Sequence, residues 1–330
     1  IDRAAVATGM PAGVFQHVMS DSFEVGKALV QHPATAAVGF TGSFSGGKAL
    51  FEYAQERTVP IPVFAEMGSV NPVLLMPDSI SSNSGSIAHQ FTLSITNGVG
   101  QFCTKPGVFF AVAGESLDLF VEELRTKMAT VAPTKMLHAG IFENYSRRRK
   151  EIADVETVQV LSVHEDTAAE YSGTAQLAIV SAEDFIMQAA LREEVFGPFA
   201  LIVRCRDVQQ AIDAMSLLKG QLTVSLIGTD KDFEQHPTVL SFAESIAGRV
   251  VINDIPTGVE VCGSMVHGGP YPSTTDGRFT SVGVTAVKRW VRPVCYQNFP
   301  EHLLPVPLRN ANPKQIMRLV NNQYSSSSIE

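Results

Sequence analysis

The chain has 330 residues, 45% hydrophobic and 18% charged, which is enough to build one large or two ordinary globular domains. Its 25 basic and 33 acidic side chains give a net charge of −8, which argues against nonspecific binding to nucleic acid or to an anionic membrane surface. No apolar run approaches the length of a membrane-spanning helix.

The four cysteines lie far apart, at Cys103, Cys205, Cys262 and Cys295. The sequence has neither a CxxC pair nor an HExxH motif, so it predicts no metal site and no disulfide framework. A reducing, cytoplasmic compartment is the expected location.

The first 69 residues alternate between predicted helices and predicted strands. The elements expected in this part are a helix ending near Thr8, a short strand over 13–18, a helix over 22–31, a strand over 36–40, a helix over 45–57 and a strand ending at Glu66.

The turn at residues 41–43 joins a predicted strand to a predicted helix. Such a turn directs backbone N–H groups and a helix N-terminus towards a phosphate, although the GxGxxG pattern of many dinucleotide sites is missing. Ser43 is therefore a candidate phosphate contact. The simpler alternative is that Ser43 only caps the helix.

The same alternation continues through the middle of the chain. Strands are predicted over 73–76, 107–113, 172–180, 199–204, 223–227 and 248–253, and helices over 83–96, 117–130, 144–155 and 207–218. This order predicts an α/β fold with a mainly parallel sheet.

Cys103 lies in a tight turn between a predicted helix and a predicted strand. Asn97-Gly98 and Gly100 are typical of a helix C-terminus, and Pro106 precedes an uninterrupted apolar run. A thiol on a connection between rigid elements is a candidate nucleophile, whereas an isolated cysteine is more often a small buried hydrophobe.

Glu66 follows an apolar strand, where a buried charge is costly unless it is paired or neutralised. Such a position is expected to raise the pKa of the carboxyl group towards working pH, which suits a general base. The alternative is a surface glutamate at a strand end.

The last part of the chain begins with a long stretch rich in Gly, Pro and Ser over 258–283, which is typical of a functional loop. A strand is predicted over 286–296 and a short helix over 312–320.

Four short stretches, in this order, resemble the aldehyde dehydrogenase superfamily. They are Phe40-Thr41-Gly42-Ser43 with Gly47, Phe64 to Pro72 around Glu66-x-Gly68, Gly100-Gln101-Phe102-Cys103-Thr104, and Glu193-Glu194-Val195-Phe196-Gly197-Pro198. Within the superfamily, these stretches and the segments 272–283 and 292–300 look most like the 2-oxoglutarate semialdehyde (2,5-dioxopentanoate) dehydrogenases.

The resemblance implies the end of a Rossmann-type cofactor domain over 1–69, an α/β catalytic domain over 70–283, and an oligomerisation strand with a tail over 284–330. It also implies NAD or NADP as cofactor, a small aldehyde substrate and a homodimer or homotetramer. The family's first portion, which contacts the adenosine ribose and supplies an asparagine to the oxyanion, has no counterpart among these residues.

The resemblance also assigns roles to individual residues. Cys103 would be the nucleophile and Glu66 the general base. Cofactor contacts would come from Gly42, Ser43, Met67, Glu194 and Phe196, and substrate contacts from Arg278 and Phe279. Arg278 is the candidate for the substrate carboxylate, and its alternative is a structural ion pair with Asp276.

Two other functions remain open from the sequence. The chain could be an inactive oligomerisation or binding module. It could also be a Cys–His hydrolase that uses His89 or His138 and no nicotinamide.

Overall fold

A seven-stranded sheet organises the chain between residues 73 and 252. A computed structural model describes residues 1–163 and 170–329. The helices are α1 (Asp2–Ala7), α2 (Phe23–Gln31), α3 (Phe44–Gln55), α4 (Pro77–Thr96), α5 (Glu115–Ala129), α6 (Ala139–Ala153), α7 (Ala182–Met187), α8 (Val208–Met215), α9 (Asp230–Gln235) and α10 (Thr238–Ile246).

The strands are β1 (Val38–Thr41), β2 (Val63–Glu66), β3 (Val73–Leu75), β4 (Val108–Val112), β5 (Thr134–Lys135), β6 (Gln159–Val163), β7 (Ser172–Gly173), β8 (Gln176–Ser181), β9 (Phe199–Cys205), β10 (Gln221–Ile227), β11 (Ala247–Ile252), β12 (Arg318–Val320) and β13 (Gln323–Ser325). Short 3-10 helices cover Asn97–Gly100, Ala189–Arg192, Val284–Trp290, Glu301–Leu303 and Val306–Leu308.

The large sheet has the order β11-β10-β3-β4-β9-β8-β6. All neighbouring strands in it are parallel except β6, which is antiparallel to β8. The predicted α/β fold with a mainly parallel sheet is therefore confirmed.

Both faces of this sheet are covered, because its strands are apolar on both sides. Phe109 and Ile202 contribute to one core, and the adjacent Phe110 and Leu201 contribute to the other. Successive side chains of a strand point to opposite faces, so the continuous apolar runs predicted from the sequence separate into two cores.

Residues 22–67 form a smaller layer in which β1 and β2 are parallel. Ser22 caps α2 by accepting a hydrogen bond from the Glu24 N–H at 3.2 Å, as the sequence predicts. The side chains of Val30, Ala54, Val63 and Ala65 belong to the core of this layer.

Three predicted elements are wrong. Residues 13–18 form no strand, and their side chains are exposed, so an extended segment there has no apolar face buried. Val284–Trp290 is a 3-10 helix, and the rest of the strand predicted over 286–296 is irregular. That strand was expected to pair with another subunit, and a lone chain offers it no such partner.

The third wrong element is the helix predicted over 312–320. Asn321 and Asn322 have φ of 48° and 64°, and they join β12 to β13 as an antiparallel hairpin. Asparagine tolerates positive φ in two-residue hairpin turns, so the turn residues favour the hairpin over a helix.

The chain divides into two compact units, Ile1–Arg289 and Trp290–Glu330. No helix within the described ranges is both long and apolar enough to cross a membrane.

Candidate active site

The loop that carries Cys103 lies between α4 and β4. The glycine predicted to end the helix has a second role here, because Gly100 has a φ of 64° and packs against the backbone of Gly197. A Cβ atom at position 100 would lie 2.3 Å from the Gly197 carbonyl carbon, a separation that real structures do not allow. Two of the four quoted sequence stretches therefore meet at this glycine.

Asn71 fixes the same loop from the side of β3. Its amide Nδ2 donates to the carbonyl oxygens of Cys103 and Lys105, at 2.8 Å and 3.0 Å. Its Oδ1 accepts from the hydroxyl groups of Thr223 and Ser69, at 3.0 Å and 2.9 Å. With both ends bonded, the Asn71 amide holds the backbone on either side of the thiol.

Glu66 ends β2 and is 5% exposed. The segment after residue 272 runs beside the strand, because the Met67 N–H donates to the Ser273 carbonyl at 2.7 Å and the Thr275 N–H donates to the Ala65 carbonyl at 3.0 Å. This contact brings the long loop of residues 258–283 over the glutamate.

The loop places His267 between the two predicted catalytic residues. Its Nε2 lies 3.4 Å from Cys103 Sγ and 3.0 Å from Glu66 Oε1. Ser281 Oγ donates to the other carboxylate oxygen of Glu66 at 2.6 Å. One ligand-type atom from each of Glu66, Cys103 and His267 lies within 4.8 Å of the other two.

Electrostatics in this cluster reverse one prediction. Burial acts to raise the pKa of Glu66, but the hydrogen bond and charge of His267, with the contacts of Ser281 and Cys103, lower that pKa overall. The raised pKa expected from burial alone is therefore wrong.

His267 changes in the opposite direction. Burial acts to lower the pKa of the imidazole, but the contacts with Cys103 and Glu66 outweigh burial and raise this pKa to about 9. A pKa of about 9 favours a protonated His267 between Glu66 and Cys103 at neutral pH.

Lys105, in the Cys103 loop, and the partly exposed Glu194 form a second pair of interacting charges. Lys105 is 2% exposed, and its Nζ donates to the carbonyl oxygens of Val195 and Phe199, at 3.1 Å and 2.9 Å. Burial lowers the pKa of Lys105 and raises the pKa of Glu194, while the charge of each partner opposes its shift.

Glu194 also lies against the stretch that contains Glu66. Its carboxylate accepts a hydrogen bond from the Ser69 backbone and lies so close to Gly68 that a Cβ at position 68 would be 2.5 Å from Glu194 Oε2. The adjacent Phe196 is partly exposed.

The strand–turn–helix around Ser43 is present. Ser43 Oγ accepts from the Gly46 N–H at 3.2 Å and so caps α3, while residues 41–45 are exposed. The Gly42 N–H donates to the Glu66 carbonyl at 3.1 Å, which ties this turn to the end of β2. Met67 is buried, and its side chain packs over Gly47.

Arg278 and Phe279 lie in the loop that carries His267. The side chain of Arg278 is 82% exposed and binds both carboxylate oxygens of Asp276, at 2.8 Å and 2.6 Å. Phe279 packs edge-to-face on Phe64, with ring centroids 5.3 Å apart.

A second arginine, Arg249 of β11, interacts electrostatically with the thiol. Burial lowers the pKa of Arg249, and the charges of Cys103 and Asp254 oppose this. Its two terminal nitrogens donate to the carbonyl oxygens of Pro256 and Gly258, whereas its Nε has no hydrogen-bond partner within the described residues.

The sequence of residues 1–291 matches the family model described as the aldehyde dehydrogenase family. The chain belongs to the aldehyde dehydrogenase family. The match includes every residue of the Cys103, Glu66 and His267 cluster.

Two curated relatives are similar over nearly the whole chain. Alpha-ketoglutaric semialdehyde dehydrogenase 2 of Azospirillum brasilense is 45% identical over 318 residues, which are 96% of this chain and 61% of the relative. Alpha-ketoglutaric semialdehyde dehydrogenase of Acinetobacter baylyi is 39% identical over 324 residues, which are 97% of this chain and 61% of the relative. The chain thus spans about three-fifths of the length of each.

Two solved structures share the fold. Gamma-glutamyl-gamma-aminobutyraldehyde dehydrogenase from Burkholderia cenocepacia has a TM-score of 0.71 at 21% identity, covering 87% of this chain and 57% of that chain. The D779W mutant of proline utilization A from Bradyrhizobium japonicum has a TM-score of 0.73 at 19% identity. The match covers 88% of this chain and 30% of that chain.

Sequence reasoning missed three residues of the site. His267 and Ser281 lie in the long loop that the sequence marks as functional, but nothing local indicates which of its residues reach Glu66. Asn71 belongs to the quoted Glu66 stretch, yet its contact with the Cys103 loop depends on the fold. The alternative bases His89 and His138 are both exposed, and the histidine that contacts Cys103 is His267.

Proposed function

We propose that the chain is part of an enzyme that oxidises an aldehyde to a carboxylic acid with NAD or NADP. One observation carries the proposal: the Cys103 thiol and the Glu66 carboxylate are close together and share contacts with His267, at 3.4 Å and 3.0 Å. A nucleophile beside a base is what acyl chemistry on a thiol requires.

In the first step, the Cys103 thiolate attacks the aldehyde carbon and forms a thiohemiacetal. His267 Nε2 lies 3.4 Å from the attacking sulfur, and the backbone N–H of Cys103 is a candidate donor to the developing oxyanion. A bound nicotinamide would supply the hydride acceptor. Loss of hydride from the thiohemiacetal carbon would leave a thioester on Cys103. Glu66 then activates the water molecule that hydrolyses this thioester.

The residues present suit a dinucleotide. The N-terminus of α3 is exposed beside Ser43, which favours a pyrophosphate contact there, and Gly42 and Met67 flank the same turn. The Glu194 carboxylate at Gly68 is a candidate partner for the nicotinamide ribose, with Phe196 near the ring.

The names of the two similar relatives favour the semialdehyde of 2-oxoglutarate as substrate. This molecule has a carboxylate at the end opposite the aldehyde, and a buried carboxylate needs a cation or several donors. Arg278 is the arginine predicted from the sequence, but it would have to leave Asp276 to bind substrate. Arg249, which interacts with the charge of Cys103, is a second candidate.

A pair of matched variants distinguishes these arginines. Replacing the arginine that binds the substrate carboxylate should lower kcat/KM for the acidic semialdehyde. The loss should be on the order of 1.5–3 kcal/mol, the scale of a hydrogen bond to a charged group. Arg278→Met and Arg249→Met are each assayed with this semialdehyde and with an uncharged aldehyde of similar length. An arginine whose replacement lowers both rates equally is structural. If both replacements lower the two rates equally, a residue other than Arg278 and Arg249 binds the substrate carboxylate.

Replacement of the thiol tests the oxidation itself. In the complete protein, Cys103→Ser should lower kcat by roughly 10³-fold or more, because the nucleophile is lost, while reduced cofactor still binds. Cys262→Ser is the matched control, since Cys262 lies outside the cluster. Retention of most dehydrogenase activity in Cys103→Ser would refute the proposed nucleophile.

A second candidate function is a hydrolase without nicotinamide, favoured by the Cys103–His267–Glu66 arrangement. Such an enzyme would hydrolyse an activated ester but form no reduced cofactor from an aldehyde. An inactive binding or oligomerisation module would do neither. Absorbance of reduced nicotinamide, measured after an aldehyde is added to the complete protein, separates the three.

We further propose that the chain acts as a homodimer or homotetramer in the cytoplasm, since enzymes of this family are commonly oligomeric. Residues 290–330 expose large apolar side chains, among them Val291, Leu303 and Leu308. Exposed apolar groups of this kind are typical of surfaces that bind another subunit. Sedimentation of the complete protein would give the oligomer size.

A further inference from the structure

The Glu66, Cys103 and His267 cluster has the composition of a metal site as well as of a catalytic one. We propose that these three residues form an inhibitory Zn²⁺ site. The sequence predicts no metal because the three residues are far apart in the chain and no two of them have a known ligand spacing.

The donor atoms suit zinc in type. A thiolate sulfur, an imidazole nitrogen and a carboxylate oxygen are the three kinds of ligand that Zn²⁺ takes in proteins. Sites with three protein ligands leave a fourth position open for water or another small molecule.

The donor atoms also suit zinc in spacing. Zinc bonds of about 2.3 Å to sulfur and about 2.0–2.2 Å to nitrogen and oxygen place tetrahedral ligand atoms roughly 3.3–3.6 Å apart. The Sγ to Nε2 distance of 3.4 Å lies in this range, and the Nε2 to Oε1 distance of 3.0 Å is slightly short. Because all three atoms lie within 4.8 Å of one another, small side-chain movements would complete the site.

Neighbouring groups orient one of the ligands and hold the backbone of a second. Ser281 Oγ binds the Glu66 oxygen that faces away from His267, at 2.6 Å, which leaves Oε1 for the metal. The backbone N–H of His267 donates to Thr280 Oγ1 at 2.9 Å, and Ser281 Oγ donates to the His267 carbonyl at 3.0 Å, so the backbone of this residue is held in place. A hydrogen bond such as that from Ser281 to the Glu66 carboxylate fixes the orientation of a metal ligand.

A cation can reach the site from the side of Cys103. Glu66 and His267 are each 5% exposed, and Cys103 is partly exposed and so gives access. Coordination needs the thiolate and the neutral imidazole, so protons on these groups pass to solvent when the ion binds.

Bound zinc would stop aldehyde oxidation, because it occupies the sulfur that attacks the aldehyde and the carboxylate that activates water. The inhibition would be reversible by a chelator. It would also protect Cys103 from alkylation, an effect that can be measured without turnover.

Cobalt is the probe for this site, since Co²⁺ takes zinc positions and a sulfur–cobalt bond gives a charge-transfer band in the near ultraviolet. The complete protein is titrated with CoCl₂, and ZnCl₂ is then added. We expect one equivalent of Co²⁺ to give the band, Zn²⁺ to abolish it, and Zn²⁺ to slow alkylation of Cys103.

Variants assign the ligands. Cys103→Ser should lose the band, and both His267→Gln and Glu66→Gln should weaken Co²⁺ binding by roughly tenfold to hundredfold or more. The control Cys262→Ser should bind as the unmodified protein does. A circular dichroism spectrum equal to that of the unmodified protein shows that a variant is folded.

Two results would overturn the proposal. One is a protein that shows no sulfur–cobalt band at excess Co²⁺. The other is a band that persists at unchanged affinity in Cys103→Ser, or a band and Zn²⁺ protection of Cys103 that persist at unchanged affinity in both His267→Gln and Glu66→Gln. Because band and alkylation need no substrate, these results do not depend on whether the enzyme oxidises aldehydes.

Discussion

At the scale of single residues, local sequence predicts some features of the site and misses others. The stretches around Cys103 and Glu66 indicate a nucleophile and a base, and the fold brings these two side chains together. The direction of the Glu66 pKa could not be predicted, because His267 is 201 positions away in sequence and only the folded loop brings it to 3.0 Å. Burial of a carboxyl group predicts a raised pKa, whereas a neighbouring cation lowers the pKa.

The paired shifts of Glu66 and His267 make stability depend on pH. The lowered pKa of Glu66 adds stability above the ordinary glutamate pKa of 4.5, and this is lost as the pH falls through the folded-state value. The raised pKa of His267 adds stability that is complete below 6.5 and is lost as the pH rises through about 9. The interaction between Glu66 and His267 therefore stabilises the folded state most near pH 5–6.5, where Glu66 is ionised and His267 is protonated.

We accordingly expect His267→Gln to lower the free energy of unfolding most near pH 5.5. The difference from the unmodified protein should shrink by roughly 1–3 kcal/mol by pH 9.5. Urea denaturation at pH 5.5, 7.5 and 9.5 measures it, with the exposed His89→Gln as control. A difference that stays constant with pH would show that His267 contributes packing and no charge interaction.

At the scale of helices and strands, periodicity and turn residues predicted most of the elements of the sheet. The misses lie where a strand needs a partner, as over 286–296, and where two asparagines form a turn that was read as part of a helix. The contacts between elements could not be predicted in the same way. Gly100 was assigned to a helix end, yet its lack of a side chain also lets the Cys103 loop approach Gly197.

Asn71 gives a prediction at this scale, because its amide joins β3 to the Cys103 loop. Asn71→Gly keeps the φ of 48° accessible and removes the side chain with its amide, so it should cost about 1–3 kcal/mol of unfolding free energy and lower kcat. Asn71→Ala should cost about 1–2 kcal/mol more, because alanine disfavours positive φ. Thermal and urea unfolding check both values.

Asn144, exposed on α6, provides the control. Asn144→Ala should stay within about 0.5 kcal/mol of the unmodified protein. Equal stability and equal kcat in Asn71→Gly and the unmodified protein would show that the amide does not hold the loop.

At the scale of the whole molecule, the sequence order of strands and helices predicted an α/β fold, and the four stretches identified the family. The division into a cofactor part, a catalytic part and an oligomerisation part stays a prediction, as do the roles of individual cofactor contacts. The domain division and the cofactor contacts depend on a bound dinucleotide and on other subunits. The sequence of one chain gives only a weak signal for such interactions. The central proposal is narrower: Cys103 forms a thioester, and Glu66 activates the water molecule that hydrolyses it.

The most direct test is the mass of the Cys103 peptide in the Glu66→Gln variant of the complete protein. After a brief incubation with aldehyde and cofactor, we expect one burst of reduced cofactor and then a rate lower by roughly 10²–10⁴-fold, because the general base is lost. The Cys103 peptide should carry the mass of the acyl group derived from the aldehyde. An unmodified Cys103 peptide, together with a steady rate equal to that of the unmodified protein, would contradict the account.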